Sequence, residues 1–86
     1  MGKFISIGSE HYIAVDKVVS VIDATTHYSK GLIKYAKDNG FLLNYTLGKK
    51  ARSLLLTTEN MFILSPLSTK TIIRRFNGED SNDIED

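Results

Sequence analysis

The stretch Phe41-Leu-Leu-Asn-Tyr45-Thr-Leu-Gly48-Lys-Lys-Ala-Arg52-Ser-Leu-Leu-Leu-Thr57-Thr-Glu-Asn-Met61-Phe-Ile-Leu-Ser65 decides the fold of this chain. An apolar run over 41–45 breaks at Thr46-Leu47-Gly48, and further apolar runs follow over 53–57 and 61–64. Short runs of this kind bounded by turn formers read as strands. The gap Thr58-Glu59-Asn60 joins the last two as a hairpin. Pro66 has no N–H to donate, so pairing ends there.

Working outward, the N-terminal third holds three short β-branched runs parted by Gly8-Ser9-Glu10 and Asp16-Lys17, which predicts strands at 3–8, 11–15 and 17–23. The period then changes. Tyr28, Leu32, Tyr35 and Ala36 recur at helical spacing after Thr25-Thr26, and Asn39-Gly40 is a stop signal, so a helix is expected over 27–38. Gly31 in its middle costs about 1 kcal/mol relative to alanine. At the other end, Ser68 is placed to cap a short helix carrying Ile72, Ile73 and Phe76. Leu67 and Ile72 form a hydrophobic staple across that cap. The expected fold is α+β, a small mostly antiparallel sheet with one central and one C-terminal helix.

With 86 residues, the chain is one domain, assigned to 1–78 and followed by an acidic, disordered tail at 79–86. Small domains often lean on disulfides, a metal or self-association, and with no cysteine and two histidines the last remains. The N-terminus lacks a signal core and no window resembles a membrane span, so a cytoplasmic protein without a membrane partner is expected. The net charge of +1 conceals an asymmetry. Residues 1–78 carry all 11 Lys and Arg against Glu10, Asp16, Asp23, Asp38 and Glu59, a net +6, while the tail carries −5. A basic body implies a polyanionic partner, and the tail either screens that surface or is a solvated end without a role.

No enzyme is expected. The sequence offers no cysteine nucleophile, no metal-ligand cluster and no glycine-rich phosphate loop, and it implies neither a cofactor nor a small-molecule substrate. His11 and His27 read as ordinary surface or edge histidines, and Asp16 and Asp23 as turn and cap residues. Lys30, Lys34 and Lys37 form a helical stripe that reads as a solvated face. Lys49, Lys50 and Arg52 differ, because three cations lie within four residues beside Gly48, where a backbone can approach a partner closely. Lysines neutralise phosphates, and arginine offers a planar fork to phosphate or guanine. A solubilising loop fits the same pattern equally well.

Taken in order, Phe-Ile-Ser-Ile-Gly (4–8), Lys-Val-Val-Ser-Val-Ile (17–22), Leu-Ile-Lys-Tyr-Ala-Lys-Asp-Asn-Gly (32–40), Gly-Lys-Lys-Ala-Arg-Ser-Leu-Leu-Leu-Thr (48–57) and Phe-Ile-Leu-Ser (62–65) resemble the RemA family of bacterial extracellular-matrix (biofilm) regulators. The resemblance implies a DNA-binding transcriptional regulator, similar in fold to LytTR-type domains, that assembles into a homo-oligomeric ring and binds double-stranded DNA. The family's arginine-rich motif falls on Gly48, Lys49, Lys50, Ala51 and Arg52, and a further family arginine falls on Lys17. The implied DNA-binding residues are thus Lys17, Lys49, Lys50 and Arg52. Three of those four family arginines are lysines here, which keeps charge and loses the bidentate fork. Ser65-Pro66-Leu67-Ser68 is more similar to the RemB branch. The competing reading is a self-associating scaffold or protein-binding module whose basic loop meets acidic protein.

Overall fold

The computed structural model describes residues 3–8 and 10–78 of the chain. The tail assigned to 79–86 lies outside the described residues. The elements run β1 (Phe4–Ser6), β2 (Tyr12–Ala14), a 3₁₀ turn (Val15–Lys17), β3 (Val18–Asp23), α1 (His27–Asp38), β4 (Leu42–Asn44), β5 (Ser53–Thr57), β6 (Phe62–Ser65) and α2 (Thr69–Phe76). The α+β expectation holds.

β1 and β2 form an antiparallel ribbon, and the other four strands form a sheet in the order β3-β5-β6-β4. The expected hairpin is β5–β6, with Leu54 opposite Leu64 and Leu55 opposite Ile63. Its turn closes through Thr57 N–H to the Met61 carbonyl at 2.9 Å, with Asn60 at φ 65°. Asparagine tolerates that left-handed backbone because its short polar side chain bonds locally. β6 ends at Ser65, directly before Pro66.

One pairing is parallel, β4 with β6. The chain leaves β4 at the sheet edge and must pass the end of β6 to reach β5 in the interior, roughly 10 Å away at two strand spacings. Residues 45–52 make that crossing, so an exposed arch across the end of the sheet follows from the strand order.

Consecutive β5 residues bury on opposite faces of the sheet. Leu54 joins Leu64 and Ala24 beneath α1, while Leu55 joins Ile63, Ile5, Ile7, Leu67 and Ile72 beneath the ribbon and α2. The staple pair Leu67 and Ile72 lies in this second cluster, and Ser68 caps α2 by accepting from Thr71 N–H at 3.2 Å. Buried hydroxyls tie the layers together: Ser65 donates to the Ile7 carbonyl at 2.6 Å and Ser53 to that of Leu67 at 2.5 Å. Arg75 reaches from α2 to the Ser6 carbonyl at 2.9 Å. Gly8 is required on two counts: its φ is 98°, and an added Cβ would lie 2.9 Å from Pro66 Cγ.

α1 needs one correction. Its buried face is Ser29 and Ala36, with Leu32 and Ile33 partly buried against the sheet, a spacing of i, i+3, i+4 and i+7. Tyr28 and Tyr35, expected to face inward, are 72% and 57% exposed. Ser29 can be buried because its hydroxyl donates to the Thr26 carbonyl at 3.0 Å, so the polar group is satisfied inside the first turn.

The N-terminal strands are shorter than expected. β1 and β2 cover three residues each, and the residues before β3 form the 3₁₀ turn. Lys17 therefore ends that turn instead of opening the strand. Among the described residues, no helix is long and apolar enough to cross a membrane.

Candidate nucleic-acid interface

The arch over 45–52 is clamped at both roots. Tyr45 donates its N–H to the Leu64 carbonyl at 3.1 Å, and Arg52 donates to the Ser65 carbonyl at 2.9 Å while its own carbonyl accepts from Ala24 at 3.1 Å. His11, from the β1–β2 connection, stacks flat on Tyr45 with ring centroids 4.0 Å apart and planes 8° from parallel. Between the roots, Thr46 directs both its N–H and its hydroxyl onto Asn44 Oδ1, at 3.0 and 2.7 Å. Lys49 N–H closes a tight turn on the Thr46 carbonyl at 3.0 Å. The two central residues, Leu47 and Gly48, have φ of 52° and 85°. Two positive φ values mark a primed turn, which suits glycine at the second position.

This frame is rigid at its base and charged on top. Lys49, Lys50 and Arg52 are all exposed, on a loop whose two ends are bonded back into the sheet. Arg52 also lines a notch of about 130 Å³ with Asp23, Thr25, Ser68 and Thr69. Asp23 repeats the device of Asn44, since Thr25 N–H and hydroxyl both converge on its Oδ1, at 2.8 and 2.6 Å. The Thr25 hydroxyl and then its N–H hold the Asp23 carboxyl below its ordinary pKa, with a smaller contribution from the Arg52 charge. The group stays ionised beside Arg52 and limits how much positive charge that root presents.

The structure brings together three of the four expected residues. Lys17 stands at the other end of the β3–β5 ladder: its carbonyl accepts from Thr58 N–H at 2.8 Å, whereas Asp23 pairs in register with Ser53. Six residues of strand put it about 20 Å from the Arg52 end. Its ammonium lies 3.9 Å from Glu59, and both side chains are exposed. Lys34 on α1 is paired with Asp38 at 3.0 Å.

Sequence reasoning missed the supports of the loop. The His11–Tyr45 stack depends on contact between segments 34 positions apart, and no local pattern announces it. Asp23, read from the sequence as a turn residue, does hold such a turn, and Asn44 left the same unread signal, because an Asp or Asn with Thr two residues later is the pattern of an Asx turn.

Compared with known proteins, the chain matches the RemA-like family, described as extracellular matrix regulatory protein A-like, over residues 4–76. The chain belongs to that family. A relative from Nitratidesulfovibrio vulgaris (strain DP4) is 34% identical over 80 residues, covering 93% of each chain. One from Fervidobacterium nodosum is 39% identical over 72 residues, covering 84% of this chain and 77% of the relative. One from Pseudothermotoga lettingae is 38% identical over 72 residues, covering 84% and 79%. All three carry the name "Putative regulatory protein".

Proposed function

We propose that this RemA-like protein is a DNA-binding transcriptional regulator of extracellular matrix (biofilm) genes, which binds duplex DNA as a ring-shaped homo-oligomer through the 45–52 arch. The observation that carries this reading is the placement of Lys49, Lys50 and Arg52 on a loop clamped at both ends, so that the cations gain a phosphate partner at little ordering cost. Three of the four cations in the family's basic positions are lysines, which favours phosphate contact over base readout. A LytTR-like organisation, with the chain over 1–78 acting as one DNA-binding and oligomerisation unit, belongs to the same proposal.

Assembly is supported by apolar surface left without a cover in a single chain. Phe4 and Tyr12 lie on the outward face of the ribbon and Tyr28 on the outward side of α1, each more than 60% exposed. The ribbon and α1 cover opposite faces of the sheet, so contacts between unlike surfaces of neighbouring copies can repeat around a ring. The ring also gives Lys17 a role, because a duplex laid across several subunits meets both ends of the ladder. Light scattering at micromolar concentration is expected to give a multiple of 9.6 kDa, and a monomer mass would remove the ring.

The same exposed aromatic residues favour the second reading, a self-associating module that binds acidic protein. Salt separates the two. Mobility shifts with duplex DNA at about 50 and 200 mM salt are expected to show affinity falling with a slope near −0.9 per phosphate neutralised. Binding that is absent at both concentrations would leave the scaffold reading.

A further inference from the structure

Leu47 combines two properties that rarely coincide in a leucine. Its backbone is left-handed, with φ 52°, a region where the Cβ of an ordinary residue crowds the following carbonyl oxygen. The residue is 71% exposed, so among the described residues no burial compensates that crowding. The position is held firmly. The turn is closed from Lys49 to Thr46 at 3.0 Å, and Thr46 itself is buried and bonded twice to Asn44.

A primed two-residue turn is built at least cost from Asn-Gly or Gly-Gly. Leucine in its first central position costs backbone strain that the turn's hydrogen bonds hold in place, and it exposes apolar surface that none of the described residues covers. The surroundings specify the kind of partner. Leu47 precedes Lys49, Lys50 and Arg52 on one arch, and only a polyanion matches three exposed cations. On duplex DNA, an apolar side chain carried beside phosphate-binding cations can enter a base step, unstack it and kink the helix.

We propose that Leu47 is a wedge that inserts at a base step of the bound duplex while Lys49 and Lys50 hold the flanking phosphates. The inference rests on the DNA-binding reading above. Pyrimidine–purine steps, TA above all, are the preferred point of entry because they unstack most easily. Part of the sequence preference then comes from DNA deformability, which suits a basic set poor in bidentate forks.

The test uses the full-length protein and duplexes of about 30 base pairs, each with 2-aminopurine at a central TA step. Wild-type protein is expected to raise 2-aminopurine fluorescence by about twofold or more as the step opens. Leu47→Asn keeps the turn, because asparagine accepts left-handed backbone, and its Tm should stay level or rise by up to about 4 °C. That variant should still bind, with affinity reduced about three- to tenfold, and leave fluorescence at the level of free duplex. Equal fluorescence gains by wild type and Leu47→Asn would overturn the wedge. A drop in oligomer mass for Leu47→Asn would overturn it too, by making Leu47 a contact between subunits. A wild-type protein that binds tightly without opening the step removes the wedge and leaves DNA binding intact, whereas one that binds no duplex removes both.

Discussion

The β3–β5 ladder carries a cationic segment at each end, and the two ends are built differently. At one end Lys49, Lys50 and Arg52 ride on an arch whose roots are bonded to β6 and to Ala24 just past β3, stacked on His11 and braced by Asn44. At the other, Lys17 closes a single 3₁₀ turn, and its ammonium lies 3.9 Å from Glu59 on the neighbouring hairpin. The first end concentrates three cations on a fixed frame, where among the described residues Lys49 and Lys50 make no ion pair and Asp23 lies near Arg52; the second spends part of its charge on an exposed ion pair worth at most about 1 kcal/mol. For a polyanion the difference is one of availability. Charge at the arch is open to phosphate, while Lys17 must exchange Glu59 for it.

The largest expected effect comes from breaking the stronger end. Replacing Lys49 and Lys50 together by alanine removes two phosphate contacts per bound subunit, which should weaken duplex binding about tenfold or more and lower the salt slope by about 2. In the proposed ring the loss would multiply over every subunit on the same duplex, so shifted bands should nearly vanish. Folding should change by under about 0.5 kcal/mol, since both side chains are exposed. A mobility shift within twofold of wild type would place the interface elsewhere.

The contrast sharpens with Lys17→Ala, whose expected cost is about two- to fivefold in affinity and about 1 in salt slope. Glu59→Ala should act oppositely, releasing Lys17 and tightening binding at low salt by about twofold. If Lys17→Ala instead matches the double lysine variant, the two ends act as one surface, as they would where neighbouring subunits bring them together. Alanines at Lys30, Lys34 and Lys37 test the remaining basic surface. Lys34 is already paired with Asp38, and the stripe rides on a helix whose neighbouring aromatic residues, Tyr28 and Tyr35, face outward. Isothermal or mobility-shift titration should find affinity within about twofold of wild type, and a larger loss would move the interface to α1.

How much of this was legible in sequence depended on distance along the chain. The β5–β6 hairpin could be read because turn and strands are adjacent and Pro66 marks the stop, and both helices could be read from Ser68 and from Asn39-Gly40 at their ends. The basic cluster was legible for the same reason, as Lys49, Lys50 and Arg52 are neighbours. The parallel pairing of β4 with β6 was not, because it is fixed by the path around the sheet end instead of by any local pattern. The inward face of α1 was misread because tyrosine counts as apolar in a periodic pattern, while a capped serine can be buried once its hydroxyl is satisfied. The separation of Lys17 from the arch followed from antiparallel register, which a family motif does not convey.

The smallest effect lies at the notch, and its sign can be worked out from Asp23. The Thr25 hydroxyl and N–H bond to its Oδ1, and with Arg52 nearby the folded-state pKa is lowered from the ordinary 3.8. A carboxyl with a depressed folded pKa stabilises the native state fully above its unfolded value, and that contribution fades as pH falls through the lower, folded value. Asp23→Asn keeps an oxygen for Thr25 to bond and removes the charge. Its Tm should therefore lie slightly below wild type at pH 5 to 7, and the gap should close below about pH 4 as wild-type Asp23 takes up its proton. At neutral pH the same variant removes a negative charge beside Arg52, so duplex affinity should rise by about twofold at low salt and return to parity at high salt, where the exposed pair is screened. Thermal scans from pH 2 to 7 paired with low-salt titrations measure both. A Tm gap that persists unchanged at pH 2 would mean that Asp23 acts through its shape in the turn and not through its charge, and an affinity that falls in Asp23→Asn would mean that the carboxylate orients Arg52 more than it opposes phosphate.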